Sequence, residues 1–162
     1  MSTTTPEHGG TAAEPKLLIP ALAPFYARAR EWSWLIIRLA AGGTLLVHGI
    51  VKLTGPGVAA FASGSLARRG IEPALPLAYV IFTLETVGAV AIILGLFTRF
   101  FAAAIAIEVA VITFIAHWGN GYGWTNERGG WEYPLLWGLI FFAIALRGGG
   151  PYSLDRAIGR EL

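Results

Sequence analysis

Four long apolar runs account for most of the chain between residues 34 and 146. They cover residues 34–53, 76–97, 100–118 and 133–146. An α-helix needs about 20 predominantly apolar residues to cross a bilayer. The first three runs meet or approach that length, and the fourth reaches it if Trp131 and Glu132 extend it while Arg147 snorkels at its other end. The pattern therefore predicts an all-α integral membrane protein folded as a four-helix bundle.

The connections between these runs differ in length. Only Thr98 and Arg99 separate the second run from the third, so those two helices are predicted to form an antiparallel hairpin. The other connections, residues 54–75 and 119–132, are long and contain several glycines. Long loops commonly carry a function or cover the site that does. These two connections are predicted to do the same.

Basic residues flank the apolar runs on both sides of the predicted membrane. The side shared by the two termini carries Lys16, Arg28, Arg30, Arg99, Arg147, Arg156 and Arg160. The opposite side carries Lys52, Arg68, Arg69 and Arg128. Because loops rich in Lys and Arg remain on the cytoplasmic side, both termini are predicted to be cytoplasmic.

The two ends of the chain lie outside the apolar runs. Residues 1–16 have too little apolar surface to offset the entropy of ordering and are predicted to be disordered. Residues 22–30 are predicted to form a short helix in the headgroup region. No signal peptide is expected, because the first long apolar run begins only near Trp32. The predicted division is an N-terminal tail over 1–31, a membrane domain over 32–147 and a cytoplasmic tail over 148–162.

Composition narrows the chemistry that the chain can perform. Hydrophobic residues make up 55% of the sequence and charged residues 14%, whereas charged residues are about a quarter of a typical soluble domain. The chain has no cysteine, which excludes disulfides, thiolate metal sites and iron–sulfur ligation by its own residues. The net charge of +2 comes from arginines beside apolar segments, so no nucleic-acid partner is predicted.

Ionisable residues nevertheless lie inside the predicted spans, where each is costly and therefore a candidate for function. Arg38, His48 and Lys52 fall on one side of the first helix, which gives it a polar stripe facing the bundle interior. Glu85 and Glu108 lie near the middle of the second and third helices. Counted along the helices, His48 is level with Glu85, and Arg38 is close enough in depth to stretch toward Glu108. Two buried pairs are expected from this arrangement.

The buried charges allow two interpretations. In the first, the pairs only neutralise one another and fix the packing of the helices. In the second, Glu85 binds or passes a proton beside a ligand pocket lined by His48. The second interpretation suits quinol chemistry or proton-coupled transport.

A further group of polar residues is predicted to meet near the outer surface. His48, Lys52, His117 and Glu132 converge there, and two histidines with a carboxylate form a recognised metal-ligand set. The i, i+4 ligand spacing of helical metal motifs is absent, however, and no attachment motif accompanies haem ligation by His48 and His117. No metal site is predicted.

The cytoplasmic tail is predicted to be fastened to the turn between the second and third helices. Arg99 lies in that turn, and Asp155 lies at the start of a short helix that ends near Arg160. A salt bridge between Arg99 and Asp155 is expected to hold them together. Ser153 or Asp155 is expected to cap the short helix.

Short motifs along most of the chain resemble those of the DoxX family. The first helix has Arg38 followed by His48-Gly49 and Lys52-Leu53; the second has Glu85, Gly88 and then Leu94-Gly95-Leu96-Phe97-Thr98-Arg99, with Ala102 beyond; Glu132-Tyr133 opens the fourth, and Gly150-Pro151-Tyr152-Ser153-Leu154-Asp155 lies in the tail. The resemblance runs from about residue 35 to 156. Glu108 has no counterpart in the family pattern.

The resemblance implies a small multi-pass protein of the bacterial inner membrane, from a family named after the membrane part of a thiosulfate:quinone oxidoreductase. It implies a membrane subunit of, or partner to, a quinone-linked oxidoreductase assembly, with a pocket for a quinone-like or lipid ligand and no covalent cofactor. The expected partners are the bilayer and other membrane or redox proteins, with an oligomer as a further expectation. The alternatives are a protein that binds or transports a small apolar molecule and a structural accessory subunit. Whether the chain is an enzyme by itself stays open.

Overall fold

The computed structural model describes residues 15–161, and every regular element within them is helical. Most of the tail predicted to be disordered, residues 1–14, lies outside the described residues. Three helical segments are long and apolar enough to cross a membrane, namely Pro20–Thr54, Ala74–Leu94 and Thr98–Asn120. The prediction of an all-α membrane fold is confirmed at this level.

The first segment consists of a 3₁₀ turn, Pro20–Leu22, followed by the 32-residue helix α1, Ala23–Thr54. Residues 22–30, predicted as a separate short helix, belong almost entirely to this continuous helix. The physical reason is that neither glycine nor proline interrupts the chain between Pro24 and Gly42. At about 1.5 Å per residue, α1 is about 48 Å long and exceeds the hydrocarbon thickness of a bilayer.

The first long connection is largely helical. It contains α2, Val58–Phe61, a π-helical turn, Ala62–Leu66, and a 3₁₀ turn, Ala67–Arg69. Ala62 and Leu66 of this segment are buried against Ala74 and Ala78 at the start of the second span. The connection therefore forms an ordered cover beside the helices.

The second and third spans are each interrupted by a π-helical turn. The second consists of α3, Ala74–Thr83, the π-helical turn Leu84–Gly88 and α4, Ala89–Leu94. The third consists of α5, Thr98–Val111, the π-helical turn Ile112–His117 and the 3₁₀ turn Trp118–Asn120. Such turns inside α-helices occur frequently at functional sites. Here one of them contains Glu85 and the other contains His117.

The fourth predicted helix is α6, Glu132–Arg147, with 16 residues and a length of about 24 Å. It packs along α5 and is shorter than a typical span. That α6 crosses the membrane, and that the helices form a four-helix bundle with cytoplasmic termini, stay predictions. The division of the chain at residues 31 and 147 likewise stays a prediction.

Small residues bring α1 close to the second span. A Cβ atom added at Gly42 would lie 2.8 Å from the Ala89 carbonyl oxygen, and one added at Gly49 would lie 2.8 Å from the Glu85 carbonyl oxygen. At both positions there is therefore no room for a side chain larger than the hydrogen atom of glycine. Helices in lipid commonly approach one another at small residues in this way.

The tail returns to the turn between the second and third spans, but not through the predicted salt bridge. The Asp155 carboxylate accepts hydrogen bonds from the Phe97 and Thr98 backbone N–H groups at 2.7 Å and 2.9 Å and from the Thr98 hydroxyl at 2.6 Å. Arg99 instead pairs with Glu161, with 3.1 Å between Nε and Oε2. The prediction was wrong because the first N–H groups of α5 have no partners within the helix and take the carboxylate themselves.

The tail helix itself forms as predicted. It is α7, Leu154–Ile158, and Ser153 caps it by accepting a hydrogen bond from the Arg156 backbone N–H at 3.2 Å. Trp34 of α1 also binds the start of the tail, since its indole Nε1 donates to the Gly148 carbonyl at 2.9 Å. The tail therefore lies beside the N-terminal half of α1.

Candidate functional site

A cavity of about 670 Å³ lies between α1, the first long connection, the second span, the third span and α6. Leucine, isoleucine and valine side chains and the rings of Phe61, Trp124, Trp137 and Phe141 form much of its wall. Five of the polar residues predicted to form the site line it: His48, Lys52, Glu85, Glu108 and His117. The cavity therefore combines apolar walls with a small number of ionisable groups.

Lys52 and Glu85 form an ion pair in the cavity wall. The Lys52 ammonium lies 2.7 Å from Oε1 and 2.6 Å from Oε2 of Glu85, and the two side chains are 15% and 5% exposed. The same ammonium lies 4.6 Å from the centre of the Phe61 ring, which adds a cation–π contact. Glu85 is thus paired with Lys52, whereas depth along the helices had singled out His48 as its level neighbour.

The lysine reaches the carboxylate because of where each residue lies on its helix. Lys52 is in the last turn of α1, lines the cavity and reaches Glu85 with its long side chain. Gly49 permits the two backbones to approach at this level. Counting rise per residue compares backbone depths and does not include the length of the lysine side chain.

Glu108 of α5 lines the same cavity. Its side chain is 8% exposed, and among residues 15–161 neither carboxylate oxygen has a hydrogen bond. The predicted Arg38–Glu108 pair does not form. Glu108 is therefore a buried polar group that makes no hydrogen bond within the described part of the protein, which is unusual for such a group.

Arg38 belongs to a different part of the molecule. Its guanidinium is 1% exposed and donates to the carbonyl oxygens of Gly149, of Tyr152 at 2.7 Å and of Ile93 at 3.3 Å. It does not line the cavity. Arg38 was predicted as a pocket residue, but its hydrogen bonds hold the tail against α1 and the second span.

Three of the four residues predicted to meet near the outer surface line the cavity, namely His48, Lys52 and His117, whereas Glu132 does not. His48 and His117 line the cavity, but the His117 ring is bound through Nδ1 to the Gly129 carbonyl at 3.0 Å. Glu132 lies outside the cavity wall and accepts from the Trp124 backbone N–H at 3.4 Å. Within the described residues, no group of three or more His, Asp or Glu side chains could hold a metal ion.

Trp137 is a cavity residue that the sequence did not single out. It lies on α6, and its indole N–H is buried without an acceptor in residues 15–161. Trp137 lies five residues inside α6, within an apolar run where no charge or motif distinguishes it. Periodicity alone does not tell which buried tryptophan lacks an acceptor.

The arrangement supports binding more directly than catalysis. Ligand cavities of 300–1,000 Å³ are typically apolar with a few placed polar groups, and this cavity has that size and composition. The paired Lys52 and Glu85 and the unpaired Glu108 supply a cation, a carboxylate and a free hydrogen-bonding group. A ligand with an apolar body and a small polar head matches these features.

Comparisons with known proteins give two matches. The family model described as DoxX matches residues 33–118. An uncharacterized protein of Haemophilus influenzae is 33% identical over 129 residues, which cover 78% of this chain and 90% of that protein. No solved structure matches the chain. The matched family segment contains every predicted site residue except Glu132.

Proposed function

This chain belongs to the DoxX family of membrane proteins, and from that premise we propose that its cavity binds a quinone-like or lipid ligand within the membrane. We propose further that it acts as a membrane subunit of, or partner to, a quinone-linked oxidoreductase assembly. The two matches confirm the family resemblance that the sequence motifs indicated. The ligand and the partnership are what we propose.

One observation carries the proposal: an apolar cavity of about 670 Å³ has the Lys52–Glu85 ion pair in its wall. Ionisable groups inside a membrane are expensive and usually line ligand or ion pathways. Quinones and lipids both have long apolar bodies and compact polar heads. The apolar walls of the cavity suit the apolar body of such a ligand, and the ion pair suits its polar head.

The partnership follows from what the chain lacks. With no cysteine, it has no thiol or thiolate with which to carry electrons. In the proposed assembly, therefore, the redox centre belongs to a partner protein, and this chain supplies the membrane anchorage and the ligand.

We also propose an inner-membrane location with four crossings and both termini in the cytoplasm. The contact between Trp34 and the Gly148 carbonyl, at 2.9 Å, supports the fourth crossing. So does the hydrogen bond from the Tyr152 hydroxyl to Glu31, at 3.2 Å. Both contacts bring the end of α6 beside the N-terminal half of α1, as expected if α6 returns across the bilayer.

The test is native mass spectrometry with lipid extraction on protein purified in mild detergent. The wild type is compared with Glu85→Gln and with the control Glu127→Gln, which changes an exposed glutamate of the second long connection. A stoichiometric quinone or lipid in the wild type and the control, but not in Glu85→Gln, supports the proposal. Equal retention of the ligand by all three proteins would contradict the assignment of this cavity as the ligand site.

The same preparation distinguishes the alternatives. A binding or transport protein for small apolar molecules would exchange its ligand in purified form, with no redox partner present. A structural accessory subunit would be empty and would travel with a larger membrane complex. Each result replaces the oxidoreductase partnership with a different role.

A further inference from the structure

Two buried polar groups in the cavity wall have no partner in the described part of the protein. They are the carboxylate of Glu108 on α5 and the indole N–H of Trp137 on α6. Both residues line the one cavity. Because buried polar groups in proteins are nearly always hydrogen-bonded, two orphans in the same wall require an explanation.

The packing of α5 against α6 brings the two positions to one level. A Cβ atom added at Gly138 would lie 3.6 Å from Cγ1 of Val109 and 4.0 Å from the Ala110 backbone nitrogen. Gly138 of α6 therefore packs against Val109 and Ala110 of α5. This contact places Trp137 and Glu108 at about the same level of the helix pair, and both line the cavity.

Three other ionisable groups of the cavity wall already have partners. Lys52 and Glu85 bind each other, and His117 binds the Gly129 carbonyl. The hydrocarbon interior of a membrane also offers no water that could bind Glu108 and Trp137 in place of a protein group. Within residues 15–161, Glu108 and Trp137 are therefore the side chains of the cavity wall with buried polar atoms left for a ligand to bind, whereas His48 lines the cavity from an exposed position.

We infer that Glu108 and Trp137 together bind a hydroxyl group of the ligand, so that the cavity selects a hydroxylated amphiphile such as a hydroquinone over the corresponding quinone. The inference rests on the proposed function and specifies the polar head of its ligand. An indole N–H only donates, and a hydroxyl oxygen accepts from it. The hydroxyl hydrogen remains available to Glu108.

A hydroxyl suits the pair better than a carbonyl does. A hydroxyl donates to an oxygen of Glu108 whether that side chain carries a proton or not, while it accepts from Trp137. A carbonyl oxygen only accepts, so it gives an ionised Glu108 no donor at all, whereas a hydroxyl gives it one. The hydroxyl could come from a hydroquinone head or from a lipid alcohol, and the experiment separates these sources.

The first measurement needs only the wild-type protein in detergent and isothermal titration calorimetry under anaerobic conditions. The probes are decylhydroquinone, its dimethyl ether, decylquinone and dioctanoylglycerol. The ether retains the ring and the alkyl chain but has no hydrogen to donate. We expect the ether and the quinone to bind about tenfold more weakly than the hydroquinone, which corresponds to the loss of one net hydrogen bond.

Two pairs of variants then assign the effect to the residues. Trp137→Phe removes the N–H and keeps an aromatic ring, and Trp32→Phe makes the same change at an exposed tryptophan of α1 outside the cavity wall. Glu108→Leu removes the carboxylate, whereas Glu108→Gln keeps an accepting oxygen. Trp137→Phe and Glu108→Leu should weaken hydroquinone binding about tenfold while leaving ether binding unchanged. The control Trp32→Phe should retain the wild-type preference, and Glu108→Gln should recover most of the preference that Glu108→Leu loses.

Each outcome decides the inference. If the hydroquinone, ether and quinone bind wild type equally and Trp137→Phe binds as wild type does, the inference is overturned, yet the ligand cavity stands. If dioctanoylglycerol alone binds, and binding depends on Glu108 and Trp137, the hydroxyl site stands and its source is a lipid. If no probe binds wild type, both the inference and the proposed ligand class fail.

Discussion

The ammonium of Lys52 lies within 2.7 Å of both carboxylate oxygens of Glu85, so the end of α1 is tied to the π-helical turn of the second span by a charge pair. Both side chains are largely buried, at 15% and 5% exposure. Removing one member of such a pair leaves the other as an uncompensated charge, which is more costly than removing both. The pair is therefore a structural element as well as a feature of the cavity.

The first prediction follows from this asymmetry. Glu85→Gln should destabilise the protein by about 3 kcal/mol, because the Lys52 ammonium loses its counter-charge in a poorly solvated place. The double variant Lys52→Met with Glu85→Gln should recover most of that loss. Equilibrium unfolding in mild detergent gives the free energies for the cycle. Strictly additive effects of the two substitutions would show that the pair does not couple the helices.

The second prediction concerns the approach of α1 to the second span. A Cβ atom at Gly49 would lie 2.5 Å from Cγ2 of Thr86 and 2.8 Å from the Glu85 carbonyl oxygen, so Gly49→Ala must push the helices apart. A loss of about 2 kcal/mol is expected, the size typical of overpacking. The unfolding free energy in detergent measures it, and the Lys52–Glu85 contact should weaken with it.

Gly43→Ala is the matched control, since it lies on the same helix and a Cβ atom there would meet nothing within 4 Å. It should be neutral or stabilising by up to about 1 kcal/mol, the difference in helix propensity between alanine and glycine. Equal destabilisation by the two substitutions would contradict the close approach at Gly49. The pair therefore separates helix packing from helix propensity.

The sequence predicted the spans well because their signal is local. Runs of apolar residues and the breaks between them located the helices Ala74–Leu94 and Thr98–Asn120 to within a few residues. The continuity of α1 was missed: residues 22–30 were predicted as a separate helix because the chain before Trp34 is amphipathic rather than apolar, although nothing in it breaks a helix. Hydropathy identifies the residues that lie in lipid, whereas a helix can continue past those residues.

The site was predicted less completely because side-chain pairing is not local. Five of the seven predicted residues line the cavity, but the sequence does not say which charges pair. Arg38 was expected to reach Glu108, yet the carbonyl groups of the returning tail satisfy its guanidinium instead. The position of that tail depends on the turn after α6, which no periodicity encodes.

The third prediction tests the topology that we propose. Reporter fusions at the N-terminus and after residue 161 should both report the cytoplasm, and a fusion in the second long connection, near residue 125, should report the opposite side. Opposite locations for the two termini would show that α6, with its 16 residues, does not cross the membrane. Four crossings place both ends on one side, whereas three place them on different sides.

The fourth prediction concerns the attachment of the tail by Arg38. This side chain is 1% exposed and donates to carbonyl oxygens of Gly149, Tyr152 and Ile93. In Arg38→Met these acceptors lose a charged donor, and hydrogen bonds to charged groups contribute about 1.5–3 kcal/mol each. We expect the tail to detach locally and trypsin to cleave after Arg156 at least several-fold faster, as measured by mass spectrometry of the released peptide.

Two comparisons make that result specific. Arg28→Met removes an exposed arginine from the same helix and should leave cleavage after Arg156 unchanged. Arg38→Lys keeps the charge but has no planar fork to serve several carbonyl groups, so its cleavage rate should fall between those of wild type and Arg38→Met. If Arg38→Met is cleaved at the wild-type rate, the hydrogen bonds that Phe97 and Thr98 donate to the Asp155 carboxylate hold the tail without Arg38.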